Sequence, residues 1–158
     1  MHRAILIAGC LVAGIVSHAR AADSDGYHPD PAMTPGAVYS TDRATICSTT
    51  NQTRPRVGME SLRKRIFTAY KIPPKDWHLY QLDHLIDRGV GGADSVANLY
   101  PEKLAGPRGA LIKDHQCDDR AWRMLCKDGS ITVAEAQAVF KNWEVECPRV
   151  LGAILPKE

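Results

Sequence analysis

LDHLIDRGVGGADSVANLYP (residues 82–101) ends an apolar run with an acid and a histidine side by side, Asp83 and His84. It then crosses Gly91-Gly92 and reaches Asn98. Upstream, Trp77 to Ile86 is rich in β-formers and reads as a strand, and Asn98-Leu99-Tyr100 reads as a brief second one. Downstream, residues from about Lys113 to Lys127 read as a helix that stops at Asp128-Gly129. Strand, glycine-containing loop, short strand and helix make an α+β class. Strand alternation aims residues 83 and 84 at opposite faces, so both can serve one site only if the strand bends or ends there.

Further helices flank this unit. Met59, Leu62, Ile66, Ala69 and Tyr70 lie at helical spacing, and Pro73-Pro74 ends that pattern. Thr132 and Glu135 have the spacing of a capping box. Behind it, Val133, Ala136, Phe140, Trp143 and Cys147 follow a period near 3.6. The short connection between the last two helices makes an antiparallel pair.

Outside the first 21 residues the cysteines are Cys47, Cys117, Cys126 and Cys147. An even set without a Cys-x-x-Cys knuckle favours disulfides over zinc. Cys117 shares a helix stripe with Ala121 and Leu125, whereas Cys126 is on the opposite face about 13 Å further along the axis. The two cannot pair. The antiparallel hairpin brings Cys147 toward Cys117, so the favoured bridges are Cys117 to Cys147 and Cys47 to Cys126.

The N-terminus explains the oxidised state. Met1, His2 and Arg3 precede a mostly apolar run, and Ala19-Arg20-Ala21 closes it, the pattern of a secretory signal peptide over 1–21. Ile7-Ala8-Gly9-Cys10 offers a lipoprotein cleavage box as a rival. The apolar run is shorter than the roughly 20 residues of a resident membrane helix. Periplasmic or secreted localisation follows, with no membrane attachment after cleavage. Residues 22–36 are polar and aperiodic, a flexible leader, and residues 37–150 suit one domain. Cleavage removes Arg3 and Arg20 and no acid, leaving 18 basic residues against 18 acidic ones. The basic residues are unevenly placed: Arg54, Arg56, Arg63, Lys64, Arg65, Lys71 and Lys75 face only Glu60 over residues 51–75. Such a patch can attract phosphates on a neutral protein, or simply form a solvated face.

The Asp-His, Gly-Gly and Asn-Leu-x-Pro elements together resemble the core of the HNH endonucleases. The likeness extends from Thr34-Pro35-Gly36 through the C-terminal helices, as in a secreted bacterial branch of that superfamily. It implies a disulfide-stabilised ββα-metal core with flanking helices and a metal-dependent endonuclease. By resemblance His84 is the general base that takes a proton from the attacking water, since an imidazole accepts one at ordinary pH. Asp83 is the matching ligand for one divalent cation, Mg²⁺ or Mn²⁺ first and Ni²⁺ or Zn²⁺ as alternatives, which neutralises charge on the phosphate. Asn98 would hydrogen-bond within the loop or to the imidazole.

Two departures bear on the second metal ligand. Asp87-Arg88-Gly89-Val90 stands where relatives commonly have Pro-Leu-Glu-Leu, and Gly109-Ala110-Leu111-Ile112 stands where they have an Asn or His before the Lys-Asp pair. His115 is the substitute, with Asp114 and Asp118 as runners-up. The expected partner is nucleic acid, DNA before RNA, met by Arg54, Arg56, Arg63 and Lys64 of a monomer. The alternative is a nucleic-acid-binding or extracellular interaction protein that keeps the fold without cleaving.

Overall fold

A computed structural model describes residues 26–49 and 58–156. The signal-peptide segment, Arg54 and Arg56 lie outside the described residues. Helix α1 (Arg43–Ile46) is capped by Asp42, whose carboxylate accepts from the Thr45 N–H at 2.7 Å. Helix α2 (Met59–Ala69) buries Ile66 and Phe67, in keeping with its apolar spacing.

The sheet pairs β1 (Tyr80–His84) with β2 (Leu99–Lys103), antiparallel, with Tyr80 opposite Lys103 and His84 opposite Leu99. The first strand is shorter than its β-former content predicts. Pro74 opens a 3₁₀ turn over Pro74–Leu79, because its fixed φ suits the first position of a helical turn. Trp77 therefore packs edge-on against Phe67 at 5.4 Å and donates its indole N–H to the Ile72 carbonyl. The second strand runs beyond Tyr100, to Lys103.

Helix α3 covers residues 110–128 and is continuous but not uniform. It contains two π-type stretches, Asp114–Asp118 and Arg123–Asp128, and stops at Gly129, whose φ of 65° only glycine takes readily. Helix α4 (Val133–Val139) starts at the expected capping box: Thr132 and Glu135 exchange side-chain and backbone bonds. A 3₁₀ turn leads into α5 (Trp143–Leu151). Both expected bridges are present, Cys47–Cys126 and Cys117–Cys147, with Cα separations of 5.3 and 5.8 Å.

The core has two parts. Ile86, Val90, Tyr100, Leu125, Phe140 and Trp143 belong to the larger cluster under α3, α4 and α5. Ile66, Phe67 and Leu99 form a smaller one under α2. Residues 26–36 have no helix or strand of their own, as the aperiodic sequence implies. Tertiary bonds nevertheless hold them on the fold. The Gly26 carbonyl accepts from the Lys103 N–H, and Thr34 Oγ1 donates to the Leu99 carbonyl and meets the Tyr70 hydroxyl at 2.7 Å. No helix among the described residues is long and apolar enough to cross a membrane.

Candidate active site

Strand β1 pairs only with β2 among the described residues. A cavity of about 520 Å³ borders β1. Arg63 of α2, Asp83 and His84 of β1, Asp87, and Asp114 and Asp118 of α3 all line it. The strand ends at His84, so neighbours from opposite faces reach the same space.

Asp83 is spoken for inside the protein. Its Oδ1 accepts from the His84 backbone N–H at 2.8 Å, and its Oδ2 accepts from the Lys113 ammonium. Lys113 also donates to the His84 carbonyl at 2.9 Å and to Glu102 Oε2 at 3.0 Å. Three N–H donors of one ammonium thus meet three acceptors, and Lys113 and Glu102 are both 0% exposed. Burial pushes the Asp83 carboxyl up, but the adjacent ammonium outweighs it and holds the group below the ordinary carboxylate range. For Lys113, burial works against the charge and the two carboxylates override it, keeping the amine protonated. Glu102 moves the other way, because burial and the Asp83 charge outweigh Lys113 and raise its pKa. A cation therefore already stands at Asp83, and it is covalently part of the chain.

His84 is buried, with its Nε2 2.8 Å from Asp94 Oδ1. Arg88 Nε is 3.6 Å from that same oxygen. Burial lowers the His84 pKa, and the Asp94 and Asp83 carboxylates only partly offset the effect. Near neutral pH the ring is therefore neutral and able to accept a proton.

Asn98, 0% exposed, works within the loop and not on the imidazole. Its side chain accepts from the Ile86 N–H at 2.9 Å and donates to the Ile86 and Ala93 carbonyls. The glycines answer a close approach: a Cβ on Gly92 would stand 1.8 Å from the Ile86 carbonyl oxygen. Residues 37 and 39 bond to the other side of the loop, through Ala93 N–H to the Ala37 carbonyl and Tyr39 N–H to the Gly91 carbonyl.

On α3 the structure separates the candidates. His115 is exposed and does not line the cavity, whereas the runners-up Asp114 and Asp118 do. Asp118 Oδ1 is shielded from solvent and has no hydrogen-bond partner. Burial raises the pKa values of Asp87, Asp114 and Asp118, and their mutual repulsion and that of Asp83 add to it; Asp87 is pushed up to about 6. Among the described residues no group of three or more His, Cys, Asp or Glu side chains is drawn together as a metal cage.

Of the basic residues, Arg63 is largely occupied: it donates to the Trp77 carbonyl at 2.7 Å and lies over the Phe67 ring. Lys64, Arg65, Lys71 and Lys75 extend from the same region, and all four are exposed.

Sequence reasoning missed Lys113, Glu102 and Asp94 as parts of the site. A signal existed for Lys113. The buried stripe Cys117, Ala121, Leu125 extends one step of four back onto Lys113, which places a charge on the core face. Glu102 follows Tyr100 by two residues and so shares its buried face, with Gln81 directly opposite it. Asp94 had no periodic signal, because a loop sets its position. No protein-family model, curated protein or solved structure matches the chain.

Proposed function

We propose that this protein is a secreted or periplasmic HNH-like nuclease that hydrolyses phosphodiester bonds of DNA or RNA, with His84 as general base. The observation that carries the reading is His84 itself: a neutral imidazole at a strand end, opening on a cavity whose far wall supplies Asp114 and Asp118. A binding protein would need no base there. The fold class, the two bridges and the cations of the α2 region are consistent with an extracytoplasmic protein that meets phosphate.

The divalent cation implied by the resemblance needs other ligands than Asp83 and His115. Both Asp83 oxygens are engaged, and His115 lies off the cavity. Asp114 and Asp118, hard oxygen donors four residues apart on α3, fit better: both line the cavity, and one Asp118 oxygen is buried without a partner. Those residues would hold Mg²⁺ or Mn²⁺. When bound, such an ion neutralises charge building on the phosphate and leaving oxygen. The chain's own contribution is to receive the water's proton on His84 and to hold the His84 peptide through Asp83 and Lys113. The basic residues of α2 bring the polyanion to the cavity mouth.

The test uses the oxidised mature protein with plasmid and single-stranded substrates, in Mg²⁺, Mn²⁺, Ni²⁺, Zn²⁺ or EDTA. His84→Ala should lower the cleavage rate about 100-fold or more while leaving folding and nucleic-acid affinity nearly intact. Equal cleavage by wild type and His84→Ala across the metal series would reject His84 as the base. Tight binding without cleavage by wild type would favour the non-catalytic alternative, for which the internal Lys113–Asp83 pair is the supporting observation.

A further inference from the structure

Asp94 has no counterpart in the roles assigned so far. It lies just past Gly91-Gly92, on a loop fastened from both sides by Asn98 and by residues 37 and 39. Its Oδ1 is 2.8 Å from His84 Nε2, and the Asp94 and His84 side chains are 21% and 7% exposed. A neutral imidazole carries one N–H, and a carboxylate can only accept. The proton of this bond must therefore reside on Nε2. Nδ1 is then the nitrogen that carries the lone pair. Arg88, 3.6 Å from the same Asp94 oxygen, adds a second donor-bearing group that keeps the carboxylate in place.

We propose that Asp94 is a positioning residue that locks His84 in the Nε2–H tautomer, leaving Nδ1 as the basic atom of the site. Without it, both tautomers are open to the ring, and only one of them has its lone pair at Nδ1. The groups around the ring are Asp94 and Arg88 from the loop, Asp83 from the strand and Lys113 from α3. Asp94 meets the imidazole itself, at Nε2, whereas Asp83 and Lys113 bond to the His84 backbone. The role rests on the reading of His84 as general base, but the tautomer can be measured without any activity.

The experiment is long-range ¹H–¹⁵N correlation on protein labelled with ¹⁵N-histidine at pH 8, with His84 assigned by the loss of its signals in His84→Gln. Wild type should show a protonated Nε2 and an unprotonated, strongly downfield Nδ1. Asp94→Ala should bring the two nitrogens toward averaged shifts. Asp94→Asn, whose amide can donate, should move the proton to Nδ1, as an amide does when it replaces a carboxylate beside a catalytic imidazole. Both variants should lose about 10-fold or more in kcat with KM for the nucleic acid changed less than about 2-fold. A wild-type ring protonated at Nδ1 would overturn the proposal even if neither variant folds. So would unchanged shifts in folded Asp94→Ala. Failure of the general-base reading appears separately, as full cleavage by His84→Ala.

Discussion

Asp83→Ala distinguishes a metal ligand from an internal counter-ion. Removing the carboxylate leaves the buried Lys113 ammonium with only Glu102 and the His84 carbonyl as hydrogen-bond acceptors. Breaking a buried pair in this way costs about 3 to 5 kcal/mol. Urea unfolding of the oxidised protein should show that loss, and added Mg²⁺ or Mn²⁺ should not restore cleavage. Restoration by metal at unchanged stability would return Asp83 to the role of ligand. Asp87 makes a prediction about pH. Burial raises its pKa to about 6 in the folded protein, so the folded state holds a proton more tightly than the unfolded chain between about pH 4 and 6. That contribution is fully present below about pH 4 and is lost as pH rises through about 6. Asp87→Asn keeps an acceptor for the Gly89 N–H and removes the charge. It should be more stable than wild type at pH 8 by on the order of 1 kcal/mol, after allowing for water in the cavity, and no more stable at pH 4. His84 has the opposite sign: its lowered pKa costs stability as pH falls below about 6.5. Comparing the two proteins at each pH isolates Asp87, because both retain His84.

The loop between the strands is the element on which the site turns. Gly92 packs directly on the strand end, and a methyl group there would stand 1.8 Å from the Ile86 carbonyl oxygen and 2.9 Å from Asn98 Nδ2. Gly92→Ala should therefore displace the segment that carries Asp94. We expect a loss of about 2 kcal/mol or more in thermal or urea unfolding, with cleavage falling further than stability accounts for. Gly58→Ala has nothing within 4 Å of the added carbon and serves as a contrast in which only the positive φ matters. Elements with local signals were legible. The capping box at Thr132 and Glu135 marks the start of α4 because its bonds span three residues. The 3₁₀ turn at Pro74–Leu79 was not legible against the β-formers that follow it, since Pro74 and the packing of Trp77 on Phe67 override side-chain propensity there.

At the scale of the whole molecule, the uneven charge should govern binding. Lys64 and Arg65 lie on α2 beside Arg63, which is held by the Trp77 carbonyl and the Phe67 ring. Replacing Lys64 and Arg65 together with alanine should weaken nucleic-acid binding for all sequences. The slope of log K against log salt should flatten by about 1 to 2, at about 0.9 for each phosphate no longer neutralised. Arg63→Ala should instead lower stability and leave the slope closer to wild type. An equal slope in the Lys64, Arg65 double variant would mark this face as solvated only.

The order of residues is enough for the α+β class, the helices behind Met59 and Thr132, and both disulfide pairings. These depend on period, on caps and on which residues share a helix face, all of which are set within a few turns of chain. It also brought Asp83 and His84 together, because they are neighbours. Tertiary structure alone decided what surrounds them. Lys113 is 30 residues from Asp83, and strand register and helix packing bring them into contact. Asp94 reaches the imidazole because Asn98 and Gly92 fold the loop back onto the strand end. The charge of a residue is written in its letter, but the partner that neutralises it is chosen by packing, which is why helix spacing can turn Lys113 toward the core while only the fold sets it between Asp83 and Glu102.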